Sequence, residues 1–170
     1  ILRAPRYING IKHKNVTSDG RIEITTKRAA TRVVSGGSRL GPVIGSEVTA
    51  MAMNQADTYG ISAIGIHDSN HLGMLGYYTD QIRKEGYIGI VMSNTEPAMP
   101  PYGGAAPILG TNPIAIGLPS DPPFNLDMST SSIARGTILS KKGQDEQLPP
   151  GVALDSAGNA TTDPDAALDG

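Results

Sequence analysis

From Pro42 to Tyr59 the apolar residues Ile44, Val48, Met51, Ala52 and Ala56 return at steps of three and four, behind a proline suited to a first helical turn. The spacing predicts an amphipathic helix. Gly60 stops it, and Ile61 to Ile66 follows as a short apolar, β-rich run of the kind a buried strand carries. A second stripe, His71, Leu75, Tyr78 and Ile82, predicts a helix that starts near Asn70 and closes at Gly86, after Arg83 and Lys84 have complemented its C-terminal dipole. Tyr87 to Ser93 then reads as another buried strand. Strand, helix and strand in this order predict a βαβ unit with parallel strands and a right-handed crossover, so the chain is expected to be α/β.

Upstream, the alternation of Arg21 to Ile24 and the β-branched Thr31 to Val34 predict two short strands separated by a basic segment. Downstream, Asn94 to Pro113 has no helical period and is rich in proline and glycine. Structureless loops longer than about 12 to 15 residues are uncommon unless they serve a function. Ile114 to Leu118 and Phe124 to Met128 read as two strands joined by a proline-rich turn, and Ser129 to Leu139 as a helix that opens on a Ser/Thr cluster. The segment from Lys141 to Gly170 is polar and turn-rich, with a final short helix starting at Asp163-Pro164. No internal repeat is visible.

The 170 residues suit one domain or a piece of a larger one, and a chain that begins at Ile1 and closes on no evident element reads as a single partial domain, 1–170, internal to a longer protein. With one Phe and no Trp, the core must come mainly from Ile, Val, Leu, Met and Ala, and a chain this short is expected to lean on a partner surface. Fourteen basic against sixteen acidic side chains leave no cationic excess to neutralise a run of phosphates, which argues against nucleic-acid binding. No stretch approaches the roughly 18 apolar residues of a membrane span, and no signal-peptide pattern opens the chain, so the expected compartment is the cytoplasm. The absence of cysteine excludes disulfides, thiolate nucleophiles and cysteine-bound zinc. The chemistry must come from oxygen and imidazole.

Neither a G-x-G-x-x-G between strand and helix nor a G-x-x-x-x-G-K-[ST] occurs, and Gly36, Gly37 and Gly41, the nearest imitation, have the spacing of turn residues. His67 and His71 are four positions apart, yet no H-E-x-x-H glutamate lies between them, and Asp68 is the only carboxylate near enough to complete a metal site. His71 alone falls at the carboxyl end of an expected strand, where open α/β sheets place ligands, and imidazole is suited to proton exchange near neutral pH. Spacing alone favours the alternative, a histidine packed on the stripe with Leu75 and Tyr78. Asp127, Met128, Ser129, Thr130 and Ser131 end a strand and open an expected helix; such a segment can hold an anion or simply cap, and pattern alone favours the cap. Arg3, Arg6 and Arg135 are candidate carboxylate clamps, and Asn94 to Glu96 could offer polar groups to a ligand or merely turn the chain.

The runs ILRAPRY (1–7), NHLGMLGYY (70–78), SNTEPAMPPYGG (93–104), LGTNPIAIGLP (109–119), LDMSTSSIARG (126–136) and TTDP (161–164) resemble the type 2 malate/L-lactate dehydrogenase family, which also takes in sulfolactate, ureidoglycolate and diketogulonate enzymes. The resemblance implies a mixed sheet with flanking helices in a non-Rossmann nucleotide-binding fold, and hydride transfer between NAD or NADP and a small 2-hydroxy acid or its 2-oxo acid, in a homodimer. It places a proton acceptor at His71, cofactor contacts at Thr95 and at Asp127, Met128, Ser129, Thr130 and Ser131, and a substrate-side arginine at Arg3, with no metal. The family pattern has Ser-His-Gly directly before Ile1, whose histidine some members use as proton donor, and a glycine-rich, lysine-containing segment after Gly170. Residues 1–170 by themselves are therefore expected not to turn over substrate. The competing readings are a non-catalytic fragment or assembly module of the same fold and, further off, a histidine-metal hydrolase.

Overall fold

The computed structural model describes residues 4–17 and 21–169. A helix absent from the sequence-based expectations opens it, α1 (Ala4–Lys12). Behind it Asn15 and Val16 donate backbone hydrogen bonds to the Gly10 carbonyl, and Thr17 N–H bonds the Ser38 carbonyl at 2.9 Å, so this segment is tied to the loop after the second strand.

Of the two upstream strands β2 (Thr31–Ser35) forms where expected, whereas β1 (Glu23–Lys27) starts two residues later than the alternation of Arg21 to Ile24 placed it and runs into the basic segment; the two pair antiparallel with a bulge between Ile24 and Thr26. The predicted amphipathic helix is α2 (Gly41–Tyr59), with a proline in its first turn and Gly60 closing it at φ 74°. It is a crossover connection: β3 (Ala63–His67) returns to lie parallel to β2, in register from Thr31 with Ala63 to Ser35 with His67. Val34, Ile44 and Val48, at 0, 0 and 7% exposure, form the core between helix and sheet, with Ile22, Met51, Ile64 and Ile66 packed around them. At about 25 cal/mol per Å² of apolar surface, each such side chain contributes about 1.5–3 kcal/mol on burial.

The βαβ unit is therefore β2-α2-β3, and the sequence assignment one unit further along is corrected. The strand order is β1-β2-β3 in one sheet and β4-β7-β8 in another, where β4 is Gly89–Met92, β7 Ile114–Leu118 and β8 Phe124–Met128. β3 and β4 are thus not partners. The long helix α2 brings β3 beside β2 and occupies its free apolar face, whereas the following helix, α3 (Gly76–Lys84), spans only nine residues. Nor are these strands fully covered within the described residues: Ile88, Ile90 and Met92 are 70, 59 and 68% exposed.

Two further differences concern segment boundaries. Residues 94–113 contain a small two-stranded antiparallel ladder, β5 (Pro97–Met99) with β6 (Leu109–Gly110), which periodicity over so few residues does not signal. The helix expected from Ser129 begins only at Arg135, as α4 (Arg135–Gly143), because the Ser131 hydroxyl bonds locally, to Ser129 and the Ile133 carbonyl, and the Thr130 hydroxyl bonds the Thr111 carbonyl, so neither caps a helix. The last helix stands where predicted, as α5 (Pro164–Asp169), and packs on α4, with Lys142 paired to Asp165.

By contact density the chain divides into two units, residues 1–89 with 117–125, and residues 90–116 with 126–170. Each carries some of the candidate residues.

Candidate functional site

In the first unit, β3 ends at His67 and no helix begins until Gly76. The segment between is held by tertiary bonds in place of helical ones. Gly36 N–H donates to the His67 carbonyl at 2.8 Å, Ser38 N–H to the Asp68 carbonyl at 2.7 Å, and the Asn70 amide to the carbonyls of Ser38 and Arg39 at 2.8 and 3.1 Å. Positive φ at Asp68 and Gly73, 49° and 85°, breaks any helical continuation. The first residue of α2 lies against this segment so closely that a Cβ on Gly41 would be 2.2 Å from the His71 carbonyl oxygen. Downstream, the Tyr78 hydroxyl donates to the Leu72 carbonyl, and burial, with Tyr7 and Tyr77 adding to it, pushes its pKa up to about 12, so it remains a donor through the physiological range.

His71 consequently lies in an extended loop and not in the first helical turn that its spacing suggested. Its half-buried imidazole Nδ1 is 2.8 Å from the Tyr7 hydroxyl, which α1 supplies. The two ring centroids are 6.0 Å apart at 41°. Both side chains face a cavity of about 290 Å³ whose wall includes Arg6, Asn9, His13 and Asn70. No carboxylate is among the described residues that line it. His13 points its Nδ1–H at the Asn9 carbonyl, 2.8 Å away. His67 is engaged differently, with Nδ1 2.8 Å from the carboxylate of Asp68, which also accepts from Ser35. The four-residue spacing therefore does not join the two imidazoles around one ion, and among the described residues no group of three or more His, Cys, Asp or Glu is placed to hold a metal. Arg3 lies outside the described residues.

In the second unit the structure brings together two segments that the sequence treats separately. Thr95 N–H donates to the Asn112 side-chain oxygen at 3.1 Å, and Thr111 N–H donates to the Thr95 hydroxyl at 2.9 Å. Thr130 donates to the Thr111 carbonyl through both its N–H, at 2.9 Å, and its hydroxyl, at 3.1 Å. Thr111 is thus the joint between Thr95 and the 127–131 segment. Gly110 makes the approach possible, since a Cβ there would be 2.4 Å from the Thr95 carbonyl oxygen and 2.5 Å from Asn112 Oδ1. Ser131 Oγ lies 3.0 Å from Ser129 Oγ and 2.8 Å from the Ile133 carbonyl, while Asp127 and Met128 are exposed. The expected anion site on a helix start at residues 129–131 is corrected accordingly: α4 starts four residues later, and its N-terminal flank, Ala134, makes no side-chain cap. Arg135 is its exposed first residue.

Tyr7, Thr111 and Asn112 are the residues sequence reasoning left without a role. No local pattern marks Tyr7, because its partner lies 64 positions away. Asn112 precedes a proline and sits at φ 26°, a turn signal that was legible but says nothing of its bond to Thr95.

Fold and site together define a mixed α/β protein that presents a tyrosine-bound imidazole to a small cavity walled in part by arginine, asparagine and histidine side chains. Residues 1–170 match malate/L-lactate dehydrogenase throughout, and the chain belongs to that family. The malate/(S)-sulfolactate dehydrogenase of Methanothermus fervidus is 44% identical over 169 residues, which cover 99% of this chain and 50% of that protein. The (2R)-3-sulfolactate dehydrogenase (NADP(+)) of Chromohalobacter salexigens is 35% identical over 170 residues, covering 99 and 51%. Among solved structures, the sulfolactate dehydrogenase from Methanocaldococcus jannaschii superposes with a TM-score of 0.87 at 42% identity, over 100% of this chain and 50% of that one. The chain spans about half the length of the curated relatives it matches.

Proposed function

We propose that the complete protein transfers a hydride between NAD or NADP and a small 2-hydroxy acid, such as malate, lactate or sulfolactate, with His71 exchanging the hydroxyl proton. The observation that carries this reading is the half-buried imidazole on the wall of a cavity that contains an arginine and, among its described lining residues, no carboxylate. Oxidising an alcohol frees a proton as the hydride departs, and a neutral imidazole is the side chain matched to take it at neutral pH. In the reverse direction the imidazolium returns it to the carbonyl oxygen. Arg6, and Arg3 in the matching motif, are suited to hold the acid's carboxylate bidentately, which orients the hydroxyl towards His71.

The second unit supplies groups that fit a nicotinamide dinucleotide: an exposed carboxylate at Asp127 and the hydroxyl oxygens of Thr95, Thr130 and Ser131 to accept from ribose hydroxyls or the carboxamide, and the Ser129 hydroxyl to donate to a phosphate or amide oxygen. When bound, that cofactor accepts or returns the hydride. The relative named for NADP(+) supports a nicotinamide cofactor and does not choose between the two forms. Apolar side chains left exposed, such as Met74, Ile88 and Met92 at 67, 70 and 68%, support the further reading that residues 1–170 are part of a larger protein working as a homodimer.

A steady-state screen of the complete protein against malate, lactate and sulfolactate with both cofactors tests the assignment. Turnover with at least one pair is expected. A folded protein that turns over none of them, and leaves nicotinamide fluorescence unchanged, overturns it. Thr130→Leu tests the second unit by itself: loss of the hydroxyl bond to Thr111 is worth about 0.5–1.5 kcal/mol, so the Michaelis constant for the cofactor is expected to rise about 2- to 12-fold while that for the acid stays within error. An equal rise in both constants would make Thr130 a purely structural residue.

A further inference from the structure

We infer that Tyr78 is a positioning residue for the reaction: its hydroxyl holds the Leu72 carbonyl, and so fixes the peptide that follows His71 and the place of the imidazole on the cavity wall. The inference deepens the proposed function and rests on it for what His71 does, but where His71 sits is a property of the chain that can be read without any substrate.

Three observations lead to Tyr78. The chain that enters His71 is held by the bonds at His67, Asp68 and Asn70, whereas the chain that leaves it runs directly into Gly73, at φ 85°. A glycine after Leu72 lets the intervening peptide plane rotate, because no Cβ restricts it. The Tyr78 hydroxyl grips that plane by its carbonyl oxygen, so the loop is pinned on both sides of His71.

The second observation is how firmly the ring is seated. Tyr78 is 2% exposed, and its ring fills a notch at Gly45 of α2, where a Cβ would stand 2.5 Å from Cζ and 2.6 Å from the hydroxyl oxygen. Gly45 lies one turn after Gly41, on the same face of the helix. That face meets the His71 carbonyl at its first turn and the Tyr78 ring at the next, so one helix surface seats both the histidine's backbone and the side chain that steadies it. The third observation is the choice of residue. Phenylalanine would fill the same space with no polar atom to bury, and a buried hydroxyl costs free energy unless it is bonded. A tyrosine here is explained by its bond and not by packing. Since burial raises its pKa to about 12, it stays a donor through the physiological range.

Tyr78→Phe in the complete protein keeps the ring and removes only the oxygen. It is expected to lower kcat about 10-fold, while the Michaelis constant for the acid changes by less than about twofold. In the substrate-free protein the ring proton–carbon resonances of His71, assigned among the three histidines with His71→Gln, are expected to shift and broaden, and those of His13 and His67 to stay in place. Gly45→Ala attacks the same contact from the other side, since its Cβ displaces the ring without deleting the hydroxyl. It is expected to give the same signature, and to lower kcat little further once the hydroxyl is gone in the double variant. Tyr77→Phe is the control, a hydroxyl lost from the neighbouring ring 5.5 Å away, and is expected to leave both readouts unchanged. Wild-type kcat in Tyr78→Phe, or a lowered kcat with the His71 resonances in place, overturns the inference and makes Tyr78 a packing residue. Should far-UV circular dichroism show Tyr78→Phe unfolded, Gly45→Ala is read by the same two criteria. Displaced His71 resonances in a protein whose wild type turns over no 2-hydroxy acid keep the positioning and strike down the functional reading, so the two fail separately.

Discussion

His71→Ala in the complete protein is expected to lower kcat by about 10²- to 10⁴-fold, the usual loss when a positioned acid or base is removed. The fold should survive. What packs against the start of α2 is the backbone of residues 70 and 71, not the imidazole, and the bonds that pin the segment come from His67, Asp68 and Asn70. The Michaelis constant for the acid should move much less than kcat, because the carboxylate grip is assigned to arginines. His71→Gln sharpens the test, since its amide can still hydrogen-bond Tyr7 and fill the space but cannot carry a proton, so it should fall as far as the alanine. Far-UV circular dichroism beside steady-state kinetics decides it. Wild-type turnover in either variant would make His71 a packing residue of the cavity wall.

That prediction depends on a placement the sequence half revealed. The resemblance marked His71, and its position after a strand pointed to a ligand end, but the 3.6-residue stripe with Leu75, Tyr78 and Ile82 drew it into a helix. Leu75, Tyr78 and Ile82 do form the buried side of α3 and its flank, at 2, 2 and 9% exposure; His71 happens to share their spacing while Gly73, at φ 85°, interrupts the backbone between them. Periodicity reads side-chain spacing and is blind to a break in φ. The same limit explains residues 129–131. Hydroxyls before a helical pattern cap in most chains, but here the Thr111 carbonyl, nineteen positions earlier, takes the Thr130 hydroxyl. Helix α2, β1, β2, β7, β8 and α5 were legible because each is fixed by local signals: a first-turn proline, a closing glycine, a β-branched run. Which strands pair was not, because β2-β3 pairing is decided by the core of Val34, Ile44 and Val48, a contact between segments.

Gly41→Ala sets two of these effects against each other, and magnitude decides between them. By helix propensity alone, alanine for glycine in α2 should stabilise, by at most about 1 kcal/mol. Yet the new Cβ would stand 2.2 Å from the His71 carbonyl oxygen, 2.4 Å from that of Asn70 and 2.5 Å from the His71 carbonyl carbon. All three are backbone atoms, so no side chain can swing aside. The loop they belong to is held by the Gly36, Ser38 and Asn70 bonds, and the helix by Ile44 and Val48 in the core, so relief requires one of these to give. Overpacking of this kind costs about 1–3 kcal/mol, which exceeds the propensity gain. At about 2–4 °C per kcal/mol for a protein of about 150–250 residues, a cost of about 1–3 kcal/mol lowers Tm by about 2–12 °C, less the smaller propensity gain. The displaced segment carries His71, and a shift of about 1 Å in a reacting group can cost about 100-fold in turnover, so kcat should fall although Gly41 touches no substrate. Loss of stability with kcat intact would mean that the helix yields and the loop does not. An unchanged or higher Tm together with wild-type kcat would show that the first turn of α2 does not buttress His71 at all.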